Sequence, residues 1–386
     1  MIKKHIFKMF LVFMISYPAV GQDDFEKWLK NQEADLTEIS EGEVKALAAI
    51  TKEFETYSEE QDRLYNAFKK SVEEKWDSFR FNSQKEFVDY DDDLSARGSI
   101  DFEKGEVEIE VLIEKKDGVS KKEMDDVAKQ KIQNKIEKIV TKPADDNKPI
   151  LDNQLKNKKG LKVTKANAKN FSKEVVNAKR ATKKEIKSKD KKKRVKYTVK
   201  FKLIPDHLKA RSERYKNEVL SQAKRHGLPP NLVFAIIQTE SDFNPKARSH
   251  IPAYGLMQLV PKSGGRDAYR YLYKKDKFLR GRYLYNPKNN IELGCAYLGK
   301  LKNVYFKGIN NEESIYHCVI SAYNTGPGNV AKAMTGTTKL KPTISTVNKM
   351  SSKKVYNQLV QKLPYKETRN YLKKVTQRMP YYANYN

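Results

Sequence analysis

Residues 230–245 read PNLVFAIIQTESDFNP, and the run Leu232, Val233, Phe234, Ala235, Ile236 and Ile237 leaves no polar face. The stretch predicts a helix over 230–241, because a residue preceding proline avoids helical geometry and Asn244-Pro245 stops the pattern. A helix that is apolar all round has to be central and wrapped by its neighbours. It also singles out Glu240, whose neighbours three and four residues back are Ile237 and Ile236. A carboxyl against apolar side chains, at the negative end of a helix, is expected to titrate high and hold a proton near neutrality. The plainer alternative is a partly exposed glutamate at a helix end.

With 386 residues the chain has room for two or three domains. A net charge of +28 implies affinity for something anionic without choosing between nucleic acid, a membrane surface and an acidic polymer. The opening segment discriminates better. MIKKHIFK is basic, MFLVFMISYPAV is apolar, and Ala19 and Gly21 are spaced for a signal peptidase, so residues 1–21 read as a signal peptide with a mature start near Gln22. Export to the periplasm or cell envelope argues against nucleic acid as a partner, although KSKDKKKRVK at 187–196 would fit a basic-patch pattern. The five histidines are scattered and accompany no cysteine cluster, so neither a metal site nor a cofactor is expected. An oxidising compartment would allow Cys295 and Cys318 to form a disulfide; two buried free thiols fit the sequence as well.

The pattern along the chain gives a fold class of α+β, with a small α+β amino-terminal domain followed by a mainly helical one. Residues 22–80 form a helical segment, with Leu47, Ile50, Phe54, Tyr57, Leu64 and Phe68 at helical spacing. Residues 81–205 are α+β. Ile100 and Phe102, then Val107, Ile109 and Val111, alternate as a hairpin about Lys104-Gly105, a helix follows at 121–140, and 196–204 alternates as a strand. Residues 156–194 hold seventeen Lys or Arg against three acids, a net +14. They read either as a solvated helix and loop or as an electrostatic handle for a polyanion. Residues 206–386 are a helical domain, with helices at 206–226, 230–241, 288–305, 312–323 and 364–378.

Four blocks in that last domain carry the chemistry: TESDFNP (239–245), AYGLMQLVP (253–261), AYNTGPGNV (322–330) and ETRNYL (367–372). In order and in spacing they resemble the signature blocks of the lytic murein transglycosylases, whose catalytic domain is similar to goose-type lysozyme. Upstream, FVDYDDDLSARGSIDFEKGEVEIEVL and VKYTVKFKLIPDHLKARSERY look like the amino-terminal domain and junction of membrane-bound C-type members of that family. Those members are lipoproteins. No cysteine stands near the cleavage site here, which puts that anchor in doubt and leaves the Lys-rich segment as a substitute for it.

The resemblance implies a lysozyme-like catalytic domain acting on peptidoglycan glycan strands as a monomer, with association to the cell envelope. Glycoside hydrolysis ordinarily uses two carboxylates, and the second and third blocks contain no Asp or Glu. In the implied reaction Glu240 is the catalytic residue: it protonates the bond between N-acetylmuramic acid and N-acetylglucosamine, then takes the proton of the muramyl 6-hydroxyl, so that a 1,6-anhydro ring closes without water. Ser241, Gly255, Met257, Gln258, Tyr323, Asn324, Glu367 and Tyr371 are the implied substrate-binding set. Ser241 hydrogen-bonds near the acid, Gly255 lets backbone approach the sugar, and Met257 serves either as an adaptable contact or as plain core. Tyr323 and Asn324 supply a hydroxyl and an amide, and Glu367 and Tyr371 buttress or line the cleft. The alternatives are a muramidase on the same fold and a non-catalytic wall-binding protein.

Overall fold

The computed structural model describes residues 41–249 and 253–385. The signal-peptide segment lies outside them. The described residues fall into two compact units, one built from 50–304 and 370–385, the other from 41–49 and 305–369. The fold class is mixed α+β.

The larger unit begins within helix α1 (Glu41–Lys75), which lies in the segment read as helical. A five-stranded antiparallel sheet follows: β1 (Glu86–Tyr90), β2 (Ala96–Asp101), β3 (Glu106–Glu114), β4 (Thr182–Lys187) and β5 (Lys193–Lys202), in spatial order β1-β2-β3-β5-β4. Helices α2 (Lys121–Thr141) and α3 (Ala168–Ala178) lie between β3 and β4 in the chain. Strand alternation sorts the faces. Ile100, Val107, Ile109, Val111, Tyr197, Val199 and Phe201 join Ile132, Ile136 and Ile139 of α2 and Phe171 and Val175 of α3 in one core. The opposite face places Leu112 and Ile186 against Val72 and Trp76 of α1. A capping box opens α2, with Ser120 accepting from Glu123 N and Glu123 accepting from Ser120 N.

That second face is polar where the sheet is widest. Arg97 and Glu110 are cross-strand partners, and Arg97 Nε lies 2.6 Å from a Glu110 oxygen with both side chains buried. The guanidinium sits 4.1 Å from the Trp76 ring centroid. Burial pushes the Glu110 carboxyl up, but the hydrogen bond and charge of Arg97, with Lys196 and Arg80 nearby, outweigh it and hold the carboxyl below its ordinary range.

The rest of the larger unit is helical: α4 (His207–His226), α5 (Pro230–Ser241), α6 (Gly264–Tyr273), α7 (Gly281–Tyr285), α8 (Pro287–Lys300) with a π-helical turn Leu301–Tyr305, and a closing 3-10 turn Met379–Tyr385. Helix α5 has the expected bounds, with Leu232 through Ile237 all at 0% exposure. Each such large side chain contributes roughly 1.5–3 kcal/mol on burial. Aromatic rings close one side: Phe234 stacks on Tyr385 at 4.4 Å and on Tyr382 at 5.3 Å.

The smaller unit contains α9 (Glu312–Thr325), α10 (Pro327–Thr335), α11 (Leu340–Asn348), α12 (Ser352–Lys362) and the start of α13 (Lys366–Arg378). Cys318, Val319, Ile320 and Ala322 of α9 pack with Val330 and Ala331 of α10 and Val355 and Leu359 of α12 in its interior. Among the described residues no helix is long and apolar enough to cross a membrane.

Two expectations need correction. The Lys-rich segment is neither all loop nor all helix, because 182–187 is strand β4, paired along its length with β5. The helix read at 288–305 stops being α-helical at Lys300 and continues as a π turn.

Candidate active site

Helix α5 ends because Asp242 and Phe243 both adopt left-handed backbone, φ 48° and 61°. For residues with a side chain this conformation is strained, and it persists only where surroundings enforce it. Here they do. Arg211 Nε donates to the Asp242 carbonyl at 2.8 Å, Lys85 pairs with the Asp242 carboxylate at 2.7 Å, and Phe243 is buried beside Tyr215 and Phe234. Arg211 is itself buried and also donates to the Phe102 carbonyl and to Gln154. Burial pulls its pKa down to about 10, against the opposing charge of Asp242.

One residue earlier, Glu240 sits in the last turn with 8% exposure, surrounded in sequence by the apolar positions of α5. Ser241 beside it is fully buried. Its hydroxyl donates to the Leu256 carbonyl at 2.7 Å and lies 3.1 Å from Ile237 O, which ties the helix end to the second motif block. Ser241 therefore positions the helix end and has no surface to offer a ligand.

The second block is a tight turn in which Tyr254 and Leu259 exchange backbone hydrogen bonds at 3.1 Å. Gly255 has φ 74°, and a Cβ there would lie 2.5 Å from Asn290 Nδ2 and from Leu284 O. Its lack of a side chain thus serves packing inside the protein. Met257 is fully buried against Gly294 of α8, where a Cβ would come within 2.2 Å of its sulfur. Gln258 adopts φ 47°, donates from Nε2 to Gly255 O at 2.9 Å, and keeps its Oε1 buried with no hydrogen-bond partner among the described residues. A buried acceptor left open in this way is suited to a donor from a ligand.

Asn290 of α8 organises this turn and escaped the sequence reading. It is completely buried, accepts from Met257 N at 2.7 Å, and donates to Tyr254 O and Leu284 O, both at 2.8 Å. An asparagine between apolar helix positions in NNIELG was a signal of sorts, but its partners are remote in sequence.

In the smaller unit, Tyr323 and Asn324 lie half-buried in the last turn of α9, ahead of the cap at Gly326. Asn324 Oδ1 accepts from Thr368 Oγ at 2.6 Å, so the third and fourth blocks meet through Thr368, while its neighbour Glu367 is exposed. Tyr371, in the larger unit, is buried. Cys295 and Cys318 are both free thiols, so the bridge left open by the sequence is not formed; burial pushes both up, Cys318 to about 12. Among the described residues no group of His, Cys, Asp and Glu could hold a metal ion.

Comparison with known proteins covers the first three motif blocks with one family model. The family "Transglycosylase SLT domain" matches residues 218–345, and "Membrane-bound lytic murein transglycosylase C, N-terminal domain" matches residues 47–214. The chain is 31% identical over 346 residues to membrane-bound lytic murein transglycosylase C of Salmonella typhimurium, covering 85% of this chain and 92% of that protein. The chain therefore belongs to the membrane-bound lytic murein transglycosylase C family. Against the Klebsiella pneumoniae protein of the same name it is 41% identical over 190 residues, 49% of this chain and 52% of the relative. In that stronger match the chain spans about half the length of the relative. A solved structure of an inactive mutant of the lytic transglycosylase Slt from Pseudomonas aeruginosa aligns with a TM-score of 0.35 and 28% identity, over 44% of this chain and 24% of that one.

Proposed function

We propose that this protein is a peptidoglycan lytic transglycosylase that cleaves between N-acetylmuramic acid and N-acetylglucosamine and leaves 1,6-anhydromuramic acid ends. The observation that carries the reading is Glu240, a buried carboxyl at the end of an apolar helix whose exit is locked by Ser241, Arg211 and Lys85. Such a carboxyl suits a single group that gives a proton to the leaving oxygen and then takes one from the 6-hydroxyl. Asp242 is no second catalytic carboxylate, because it is held by Lys85 in a structural ion pair. The substrate's own 2-acetamido oxygen then stabilises the cationic sugar. Gln258 offers its open Oε1 to a sugar hydroxyl or amide, and Tyr323, Asn324 and Glu367 are proposed as further sugar contacts on the strength of the motif resemblance. The protein is further proposed to be exported and to act at the cell envelope as a monomer.

Mass spectrometry of digests of purified peptidoglycan tests the reaction. Products lighter by one water than reducing muropeptides are expected. A digest holding only reducing muramic acid ends would replace this reading with a muramidase.

A further inference from the structure

The Lys-rich segment divides into two electrostatically different halves. Between 183 and 194 five of the eight basic residues are ion-paired within the protein: Lys183 with Asp125, Lys184 with Asp77, Lys189 with Glu73, Lys192 with Glu114 and Arg194 with Asp190. Between 156 and 180 the chain carries nine Lys or Arg and one acid, Glu174. None of those nine makes an ion pair among the described residues, and all are exposed. Glu174 is spent on a backbone contact, accepting from Lys158 N at 3.0 Å.

The unpaired half is built on a rigid frame. Lys156 and Lys162 form an antiparallel bridge, and Asn157 closes the turn between them by accepting at Oδ1 from Lys159 N and Leu161 N. Leu155 and Val163 on either side anchor it to the sheet core. On its returning arm, where the Leu161 carbonyl accepts from Asn157 N, Leu161 is 59% exposed close in the chain to Lys158, Lys159 and Lys162, while Lys169 and Lys173 stand on the exposed side of α3. A single exposed leucine is ordinary on a protein surface. One held on a pinned turn, beside lysines that make no ion pair among the described residues, is a different arrangement.

We propose that the turn 156–162, with Lys165, Lys169 and Lys173 of the adjoining segment, is a docking surface for an anionic lipid bilayer, with Leu161 inserting among the headgroups. The lysines supply charge complementarity to acidic headgroups. Leucine insertion selects a bilayer over a hydrated acidic polymer, because a polymer gives that side chain no apolar medium to enter. The proposal is independent of the reaction at Glu240, since its readout is binding and needs no turnover.

The test is co-sedimentation of the full chain with vesicles of phosphatidylglycerol and phosphatidylethanolamine, against vesicles of phosphatidylcholine alone and against purified sacculi. Binding to the anionic vesicles is expected to weaken with salt and to be absent from the neutral ones. Leu161→Ser is expected to weaken anionic-vesicle binding about tenfold, the order of a leucine side chain removed from an apolar medium. The triple change Lys158→Gln, Lys159→Gln, Lys162→Gln is expected to weaken it about a hundredfold. In Leu161→Trp, emission should shift to the blue on adding anionic vesicles. Vesicle binding indifferent to Leu161 and a tryptophan that stays in water would overturn the proposal, as would retention on sacculi alone, which would assign the patch to an acidic polymer.

Discussion

Arg211 Nε lies 2.8 Å from the carbonyl oxygen of Asp242, two residues beyond Glu240, and the same guanidinium reaches the Phe102 carbonyl at 2.9 Å. One buried side chain therefore joins the end of the sheet hairpin to the exit of the helix that carries the proposed catalytic acid. Lys85, which pairs with the Asp242 carboxylate, makes a second such link from the start of the sheet. The α+β part of this unit thus supports the strained residues Asp242 and Phe243 directly.

Arg211→Met tests that support. The variant fills much of the volume but orphans the Asp242 and Phe102 carbonyls and the Gln154 side chain. Unsatisfied buried acceptors cost about 1–3 kcal/mol each, and a total loss of about 3 kcal/mol is expected in urea unfolding. Cleavage of peptidoglycan under native conditions should fall by more than the unfolded fraction explains, because the helix exit relaxes. Full specific activity of the folded fraction would show that Arg211 holds the fold together without positioning the acid.

Asn290→Ala addresses the second block. It leaves Met257 N and the Tyr254 and Leu284 carbonyls without partners and opens a gap beside Gly255, where the Asn290 amide now packs. A loss of about 3 kcal/mol is expected. The turn bearing Gln258 should loosen, which hydrogen exchange at residues 254–259 would detect before global unfolding. Unchanged protection there would remove Asn290 from the role given to it.

The apolar periodicity of 230–241 was legible because burial, Pro230 and Asn244-Pro245 all point to the same helix, and the alternation of 100–111 was legible because one face of that hairpin is core. Strand β4 was not. In TKKEIK only Ile186 is buried, and Lys183 and Lys184 are balanced by Asp125 and Asp77, which only the fold brings near. Helix α11 was missed for a related reason: LKPTISTVN is rich in β-branched residues and contains Pro342, so its own propensity argues against the helix that packing imposes. At the site, the motif blocks located Glu240, Ser241 and Gly255, but the physical use of Ser241 and Gly255 depends on Leu256 and Asn290, contacts that spacing does not encode.

His207 makes stability depend on pH. Its Nδ1 lies 2.7 Å from Arg211 Nη1, and burial together with that guanidinium pulls its pKa down to about 4 from 6.5. Between those values the unfolded chain binds the proton and the folded chain does not, so this contribution is complete above about 6.5 and is lost as pH falls toward about 4. His226 and His317 are shifted the same way by burial and remain in any His207 variant, so the informative quantity is a difference. The urea midpoint of the wild type should drop more between pH 7 and pH 5 than that of His207→Gln. Parallel curves would show that His207 takes up its proton equally in the folded and unfolded states.

Glu240→Gln and Asp242→Asn separate the two carboxylates. The amide in place of Glu240 is nearly isosteric, so the fold, and with it Ser241 and the turn 254–259, should be retained. It can neither give a proton to the glycosidic oxygen nor take one from the 6-hydroxyl, and loss of general acid–base catalysis typically costs about 10²–10⁴ in rate. A fall of at least about a hundredfold in anhydromuropeptide release is expected, with binding to glycan strands preserved. Asp242→Asn keeps a residue that tolerates left-handed backbone and loses the charge facing Lys85 and the buried Arg211. Because the Asp242 side of the pair is buried, its cost should appear as about 3 kcal/mol of stability, with most of the activity remaining. The reverse outcome, an active Gln variant and a dead Asn variant, would move the catalytic role from Glu240 to Asp242 and break the single-acid mechanism.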